Sequence, residues 1–264
     1  MFVDRIKEFE ETYPDTYQVK DKKSLSGIFR VNIKDINFDM LVINNDDTSI
    51  VDRYWDNSYF DFTIEKWSDW SKSSGVFIDI GAHTGIFSLL TLKSSKNNYI
   101  IAVEPLPINY YRIITNFRLN YFDFSRSTIL NFAISNENKT VQFRTGNDLS
   151  YLNKGGSISN QGIKINAFKL DDLKINLPNL QVRAIKIDTE GEDLNVLYGG
   201  KNLIYKHKPK IVIETRQKNI HQIIKFLSEM GYKKIYDKNN LISKNNPITF
   251  NTGEEVRDLF FEFN

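Results

Sequence analysis

A glycine turn that follows an acid is the first part of the chain whose residue types could do chemistry. Asp79 precedes two glycines, Gly81 and Gly85, at the end of a short apolar run. Glycine has no Cβ, so a ligand can approach the backbone of such a turn closely. About 20 residues further on, Glu104 offers a carboxylate that can accept hydrogen bonds from both ribose hydroxyls of a nucleoside. Together the two features predict a ligand that contains adenosine.

The acid inside the turn indicates which class of adenosine-containing ligand the site binds. Dinucleotide sites hold a pyrophosphate at a helix N-terminus and use G-x-G-x-x-G spacing without a preceding acid. Here the order is Asp79-x-Gly81-x-x-x-Gly85, which suits a ligand that carries an ammonium and a sulfonium group. The pattern therefore favours S-adenosylmethionine. The residues predicted to contact it are Asp79, Gly81, Ala82, His83, Thr84, Gly85, Glu104, Pro105, Ala133 and Asp188.

A second set of polar residues is predicted at the same edge of the sheet. Asp188 ends one apolar run, Glu190 follows two residues later, and Glu214 ends the next run. We expect Asp188 to be the central catalytic acid, as base or metal ligand, with Glu214 as its partner. Glu190 and Lys186 complete the predicted catalytic group, and Lys186 could form an ion pair with one of the acids. In the alternative interpretation, Asp188 or Glu190 caps the helix that begins near residue 192.

A metal ion and a catalytic histidine are both left open by the sequence. No metal-binding box of fixed spacing is present, so a divalent cation would have to use Asp188 and Glu214. His207 precedes a strand and should lie far from the site, while His221 should be exposed at the start of a helix. His83 lies within the glycine turn, where it could shape the backbone or transfer a proton.

The chain that must position these residues alternates between strands and helices from residue 75 onward, as in a parallel sheet. Strands are predicted at 76–80, 99–103, 128–134, 184–188 and 211–214. Helices are predicted at 84–92, 108–122, 192–205 and 220–230, and a closing antiparallel pair at 234–236 and 259–263. Residues 136–182 break this rhythm. They predict an antiparallel insertion with short strands at 141–143 and 163–165 and a mobile loop at 155–156.

Residues 1–70 form an N-terminal extension with a different character. Loose alternation over 31–43 predicts a hairpin or a small meander. An aromatic-rich stretch follows, and it either packs this arm onto the main domain or forms a lid over cofactor and acceptor; the two roles are compatible. The predicted domain organisation is thus an arm at 1–70 and a catalytic domain at 71–264 that contains the 136–182 insertion.

Composition excludes some functional classes. The 264 residues include no cysteine, which excludes disulfides, thiolate metal sites and a thiol nucleophile. A net charge of +2 gives no general attraction to nucleic acid. No apolar run approaches the ~20 residues of a membrane-spanning helix. We therefore expect a cytoplasmic protein without a membrane span.

The chain resembles the FkbM-type methyltransferases, a class I S-adenosylmethionine-dependent family, over roughly residues 76–232. The segments that carry the resemblance are FIDIGAHTG (77–85), VEPLP (103–107), NFRLN (116–120), AIS (133–135), LDDL (170–173), IKIDTEGED (185–193), VLYGG (196–200) and PKIVIE (209–214). Two positions depart from the family pattern. His83 stands where the family usually has Asn, and Glu192 stands before Asp193 where the family usually has His.

The resemblance implies an α/β fold of the class I methyltransferase type. This fold has a Rossmann-like, seven-stranded, mostly parallel sheet with helices on both faces and an antiparallel last strand. It also implies methylation of a hydroxyl group on a sugar, polyketide or other secondary metabolite. The expected partner is a small-molecule or glycan acceptor, and the oligomeric state stays open.

Two other functions remain as alternatives. One is a ribose 2′-O-methyltransferase that acts on RNA, which would need a basic, aromatic-lined groove. The basic cluster of Lys201, Lys206, Lys208 and Lys210 precedes a strand and is expected at the wrong edge, so nucleic acid is disfavoured. The other alternative is a cofactor-binding module that has lost catalysis and serves as an interaction partner.

Overall fold

The chain folds around a central eight-stranded sheet that forms the core of an α/β domain. The computed structural model describes residues 25–43, 47–55, 61–145, 156–160, 162–173, 180–238, 240–243, 247–248 and 256–263. The central strands are β3 (Val76–Ile80), β4 (Tyr99–Val103), β5 (Ser127–Leu130), β10 (Val182–Ile187), β11 (Lys210–Arg216), β12 (Tyr232–Asp237), β13 (Asn240–Leu241) and β14 (Val256–Phe263).

The order of these strands confirms the predicted class I topology. Across the sheet they run β13-β12-β14-β11-β10-β3-β4-β5. β3, β4, β5, β10 and β11 pair in parallel, whereas β14 lies antiparallel between β11 and β12. The two-residue β13 adds an eighth strand to the seven that were predicted. The strand order reverses between β3 and β10, and ligands of open α/β sheets bind at that point.

Helices cover both faces of the sheet, because side chains of successive strand residues point to opposite faces. On one face lie α1 (Thr48–Trp55), α2 (Phe62–Ser71), α3 (Ile86–Ser94) and α4 (Pro107–Leu119). On the other lie α5 (Asp193–Gly199), α6 (Lys201–His207) and α7 (Ile220–Glu229). The sequence predicts a single helix at 192–205, but the structure has two helices there, α5 and α6, which meet at Gly200.

The described part of the N-terminal arm includes the predicted hairpin, formed by β1 (Gly27–Ile33) and β2 (Ile36–Val42). Its inward side chains, such as Phe38 and Met40, are fully buried. They belong to the same core cluster as Trp67 of α2 and Phe77 of β3. The packing interpretation of the aromatic stretch is thus confirmed for Tyr54, Phe62, Trp67 and Trp70, which lie in this cluster or pack against it. Its other members, Tyr59, Phe60 and the side chain of Trp55, lie outside the described part of the chain.

The insertion and residues 133–134 form a second sheet. Its strands are β6 (Ala133–Ile134), β7 (Lys139–Thr145), β8 (Gly156–Ser159) and β9 (Ile163–Phe168), in the order β6-β9-β7-β8. The strand predicted at 128–134 is divided, because the chain leaves the central sheet after Leu130 and joins the second sheet at Ala133. Within the insertion β7 pairs antiparallel with β8 and β9, as predicted, whereas β6, which precedes the insertion, pairs in parallel with β9. Gly156 begins a strand rather than lying in the predicted loop, and Gly155 lies outside the described residues.

Within the described ranges, the structure has no helix with the length and apolar character that crossing a bilayer requires.

Candidate active site

A cavity of about 380 Å³ opens at the carboxyl ends of β3, β4, β10 and β11. It is lined by the glycine turn, the acids that follow the strands, part of the N-terminal arm and part of the insertion. Most of the predicted site residues line it, namely Gly81, Ala82, His83, Thr84, Glu104, Pro105, Ala133, Lys186, Asp188, Glu190 and Glu214. Asp79 and Gly85 are not among the lining residues.

The two glycines of the turn are required by neighbouring protein atoms. Gly81 has a φ of 76°, and a Cβ placed there would lie 1.8 Å from the backbone oxygen of Asp188. A Cβ on Gly85 would lie 3.3 Å from the side chain of Ile113. The glycines thus let β10 and α4 approach the turn closely, a reason that the sequence did not reveal. The close approach of a ligand to the same backbone stays a prediction.

His83 occupies the left-handed region of backbone space, with a φ of 52°. Among residues with a Cβ, Asn, Asp and His are the most enriched in this conformation. His83 is thus a residue type that suits the left-handed backbone conformation of the turn. The His83 N–H also donates to Oε2 of Glu104 at 2.8 Å, which ties the turn to the end of β4.

Glu104 joins the turn to the start of α4. Its second oxygen, Oε1, accepts from the N–H of Leu106 at 2.9 Å. The carboxyl is almost fully buried, and burial raises its pKa to about 7 despite the two backbone donors. Because each carboxylate oxygen has two lone pairs, Glu104 can still accept from the ribose hydroxyls of adenosine. The residues around the turn thus fit the nucleoside part of S-adenosylmethionine.

Asp79 lies beneath the turn, on the face of the sheet that α3 covers. It is fully buried, and its Oδ2 accepts from the Ser88 hydroxyl at 2.7 Å. Its Oδ1 has no hydrogen-bond partner among the described residues. Burial raises the pKa of Asp79, and the nearby Lys186 ammonium opposes that rise. A direct contact between Asp79 and the cofactor remains a prediction.

The predicted ion pair at the end of β10 is present. Lys186 Nζ lies 2.9 Å from Asp188 Oδ2 and 4.8 Å from the ring centroid of Phe87. Burial disfavours the ammonium, but the carboxylates of Asp188 and Asp79 outweigh burial and raise the pKa of Lys186. Lys186 therefore stays charged and fixes the orientation of the Asp188 carboxylate toward the cavity.

Neither Asp188 nor Glu190 caps the following helix. α5 begins at Asp193, and its N-cap residue, Glu192, makes no side-chain capping bond. Asp193 instead accepts from the Thr189 hydroxyl at 2.8 Å, which closes the loop locally. Glu190 pairs with Arg216 at 3.3 Å on the rim of the cavity. Both candidate acids are thus available to the cavity.

Asp258 of β14 is an acid that sequence reasoning missed. It stands directly opposite Glu214 in the antiparallel pair and accepts a hydrogen bond from the Thr63 hydroxyl. Burial raises the pKa of Asp258, and burial together with Asp188 and Asp258 raises the pKa of Glu214 to about 8. The sequence of β14 does not show that Asp258 is a site residue, because its place at the cavity depends on the register of β14 with β11.

Three of the acids could hold a divalent cation. Carboxylate oxygens of Asp188, Glu190 and Glu214 lie within 4.8 Å of one another. Oxygen ligands of this kind suit Mg²⁺, Mn²⁺ or Ca²⁺. Glu190 thus joins Asp188 and Glu214, the two ligands that were predicted for a metal ion.

The arm and the insertion complete the walls of the cavity. Missed residues of the arm are Asp47, Ser49, Asp61 and Thr63, and apolar residues in and beside the insertion are Phe132, Phe143 and Ile158. No sequence motif marks these residues. The only signal that could have suggested them is that the chain has an aromatic-rich arm and a loop-rich insertion.

The remaining histidines and the basic cluster lie away from the cavity, as predicted. His207 Nδ1 accepts from the Val182 N–H at the opposite end of β10, and His221 is exposed on α7. Lys210 begins β11, whereas Glu214 lies four residues further on, at the end that faces the cavity. None of the four clustered lysines lines the cavity.

Comparison with known proteins agrees with this geometry. Residues 79–234 match the profile of the family described as "Methyltransferase FkbM domain". Among solved structures, the chain is similar to methyltransferase FkbM from Methylobacillus flagellatus KT, with 17% identity and a TM-score of 0.49 over 82% of this chain and 55% of that one. The chain thus spans about half of that protein's length. No curated protein sequence matches.

Two further solved structures have comparable scores. The M. jannaschii tRNA m1G37 methyltransferase shares 12% identity, with a TM-score of 0.48 over 90% of this chain and 55% of that one. The O-methyltransferase from Thermotoga maritima shares 10% identity, with a TM-score of 0.43 over 78% and 66%. These scores are low, so the assignment rests on the profile match. The chain belongs to the FkbM family of S-adenosylmethionine-dependent methyltransferases.

Proposed function

We propose that this protein transfers a methyl group from S-adenosylmethionine to a hydroxyl group of a sugar, glycan or small metabolite. The observation that carries the proposal is the position of Asp188. Its carboxylate lies at the end of β10, held by Lys186 at 2.9 Å, next to the strand that leads into the cofactor turn. An acid at this place can remove the proton of a hydroxyl that faces the cofactor.

The reaction that this arrangement supports is an in-line displacement. The acceptor oxygen forms a bond to the methyl carbon as the bond from that carbon to sulfur breaks, and the hydroxyl proton passes to Asp188. S-adenosylmethionine supplies an activated methyl group, so the protein mainly aligns the reactants and excludes water. We assign the turn and Glu104 to cofactor binding, Asp188 to the base, and Lys186 to orienting that base.

The charge of the cavity favours a neutral acceptor over RNA. Among the residues that the structure describes, eight acids and one lysine line it; the acids are Asp47, Asp61, Glu104, Asp188, Glu190, Glu192, Glu214 and Asp258. A phosphate backbone is bound through basic side chains and would be repelled by this surface. A glycan hydroxyl, in contrast, can donate hydrogen bonds to carboxylates. The finding weighs against the ribose 2′-O-methyltransferase alternative.

The decisive experiment is a mass-based product assay with S-adenosylmethionine and a panel of glycans, small hydroxylated metabolites and short RNAs. We expect a gain of one methyl group on a glycan or metabolite and none on RNA. Activity that disappears with EDTA and returns with Mg²⁺ would show that the reaction needs a divalent cation, for which Asp188, Glu190 and Glu214 offer ligands. A methylated RNA would overturn the proposal, and no product on any acceptor would favour the non-catalytic module.

Replacing Asp188 tests its assignment. Asp188→Asn keeps the size of the side chain but removes the base, so we expect kcat to fall about 10²–10⁴-fold. S-adenosylhomocysteine should still raise the stability of the variant, by about 2.7 kcal/mol at 100 times its Kd. Asp69→Asn is the matched control, because it breaks an exposed Asp–Lys pair with Lys34 remote from the cavity. Unchanged methyl transfer in Asp188→Asn would contradict the assignment.

A further inference from the structure

The free edge of the N-terminal hairpin is closed by side chains of a helix. Asn120 accepts from the Asp39 N–H at 2.8 Å and donates to the Asp39 carbonyl at 2.7 Å. Asn116 accepts from the Leu41 N–H at 2.8 Å, and Arg112 donates to the Leu41 carbonyl at 3.1 Å. We call Arg112, Asn116 and Asn120 the side-chain ladder. The ladder thus provides hydrogen-bond partners for the backbone N–H and carbonyl oxygen of both Asp39 and Leu41 in β2.

The ladder takes the place of a neighbouring strand. Its members are four residues apart on α4, so they lie along one face of that helix. Alternate residues of a strand turn their N–H and C=O groups to the same edge, which is why positions 39 and 41 meet the ladder. An exposed edge of this kind would otherwise invite pairing with another chain. The ladder therefore fixes both the position and the register of the hairpin on the domain.

Asn116 continues the connection to the cofactor turn. Its side chain is fully buried, and Nδ2 donates to the carbonyl oxygen of Thr84 at 2.8 Å. The Thr84 hydroxyl in turn donates to the carboxylate of Asp47, which also accepts from the N–H of Ile50 at the start of α1. The arm thus acts on Thr84 in two ways: directly through Asp47, and indirectly through Asn116 of α4, which binds both Leu41 of β2 and Thr84.

We propose that docking of the N-terminal hairpin sets the geometry of the cofactor turn, with Asn116 and Asp47 as positioning residues. The arm is then part of the S-adenosylmethionine site. The inference rests on S-adenosylmethionine as the cofactor of the family and does not depend on the acceptor. It can therefore be wrong while the proposed function is right, and the proposed function can be wrong while the inference is right. Neither positioning residue needs to contact the reacting atoms.

The test is the affinity for S-adenosylhomocysteine, measured by titration calorimetry on the full chain at a temperature where circular dichroism shows each variant folded. We expect Asn116→Ala to raise Kd about 10-fold, the effect of losing one hydrogen bond of a buried group. Asn120→Ala loosens the hairpin without touching the turn, and we expect a Kd increase of about 3-fold. If Asn116→Ala does not fold, the Kd of Asn120→Ala tests the proposal in its place.

Asn98→Ala is the matched control for these variants. Asn98 is also a buried asparagine, and it links the last residue of α2 to α3 by donating to the carbonyl oxygens of Ser71 and Thr91 at 2.7 and 3.0 Å. These bonds lie remote from the turn. We expect Asn98→Ala to lower Tm as the ladder variants do, while its Kd for S-adenosylhomocysteine stays that of the unmodified protein.

Asp47 offers a rescue experiment. Asp47→Asn keeps an oxygen that can accept from Thr84, whereas Asp47→Ala removes it. We expect Kd to stay within about 2-fold in the first and to rise about 5-fold or more in the second. If the ladder variants, Asn98→Ala and both Asp47 variants share the Kd of the unmodified protein while only Tm falls, the ladder is merely structural and the proposal is wrong.

Discussion

Single residues in the cofactor turn are explained by packing as much as by ligand binding. Gly81 makes room for the backbone oxygen of Asp188, the residue we assign as the base. The turn and the acceptor side of the cavity therefore contact each other directly. His83 adopts the left-handed backbone conformation, in which Asn and His are both enriched among residues with a Cβ. A His at this position, where the resemblance implies Asn, is therefore compatible with the conformation of the turn.

Gly81→Ala should be severely destabilising. The left-handed backbone costs alanine about 1–2 kcal/mol, and the Cβ would lie 1.8 Å from a backbone oxygen that cannot move without shifting β10. We expect a loss of about 3 kcal/mol or more in the free energy of unfolding by urea, with weaker binding of S-adenosylhomocysteine.

Gly191→Ala separates the two contributions to this loss. Gly191 also has a positive φ, of 113°, but the nearest atom to its added Cβ is 3.9 Å away. We expect its loss to be limited to about 1–2 kcal/mol of backbone strain. Equal losses in the two variants would show that the contact with Asp188 is unimportant.

At the scale of elements, the sequence predicted what depends on a single strand or helix and missed what depends on register between strands. Lys186 and Asp188 could be placed because both lie at the end of one apolar run. Asp258 could not, because β14 enters between β11 and β12 after a long connection, and its partner cannot be read from local spacing. The arm was predicted as a possible lid, but the residues with which it lines the cavity could not be named, for the same physical reason. Its contacts are long-range: the bonds of Asp39 to Asn120, for example, span 81 residues.

The pairing of β11 with β14 places two acids directly opposite each other. Like charges in such cross-strand positions are destabilising. The pKa of Glu214, raised to about 8 by burial and by neighbouring carboxylates, keeps this acid protonated at low pH. The protonated Glu214 side chain therefore contributes fully to the stability of the folded state at a pH below 4.5, its pKa in the unfolded chain. This contribution is lost as the pH rises through about 8, its pKa in the folded state.

A double-mutant cycle with Glu214→Gln and Asp258→Asn measures this repulsion. At pH 9 either substitution should relieve it, so the double variant should gain little more than each single one. We expect a coupling of about 1 kcal/mol in urea unfolding at pH 9 and almost none at pH 5.5. A coupling that is independent of pH would show that the two carboxyls do not interact through charge.

For the whole molecule, the predicted division at residue 70 does not coincide with a gap in packing. Trp67 is fully buried, contacts the rings of Trp70, Phe77 and Phe87, and donates from Nε1 to the Thr91 hydroxyl at 2.8 Å. The hairpin, α2, α3 and one face of the central sheet share this core cluster. A shared core of this kind favours cooperative unfolding.

We therefore expect arm and domain to unfold in a single transition. All three tryptophans of the chain lie between residues 55 and 70, so tryptophan fluorescence follows the arm, while far-UV circular dichroism follows the whole chain. The two unfolding curves should coincide. Trp67→Ala should lower the free energy of unfolding by about 3–5 kcal/mol and shift both curves together.

Tyr205→Ala provides the comparison, because Tyr205 is 67% exposed on α6 and its loss should change stability by only about 0.5 kcal/mol. If fluorescence instead reported an earlier transition than circular dichroism, the arm would be a separate unit that can leave the domain. Its hold on Thr84 would then be broken before the catalytic domain unfolds. Coincident curves, in contrast, mean that the cofactor turn keeps its direct contact with Asp47 of the arm, and its indirect one through Asn116, for as long as the protein is folded.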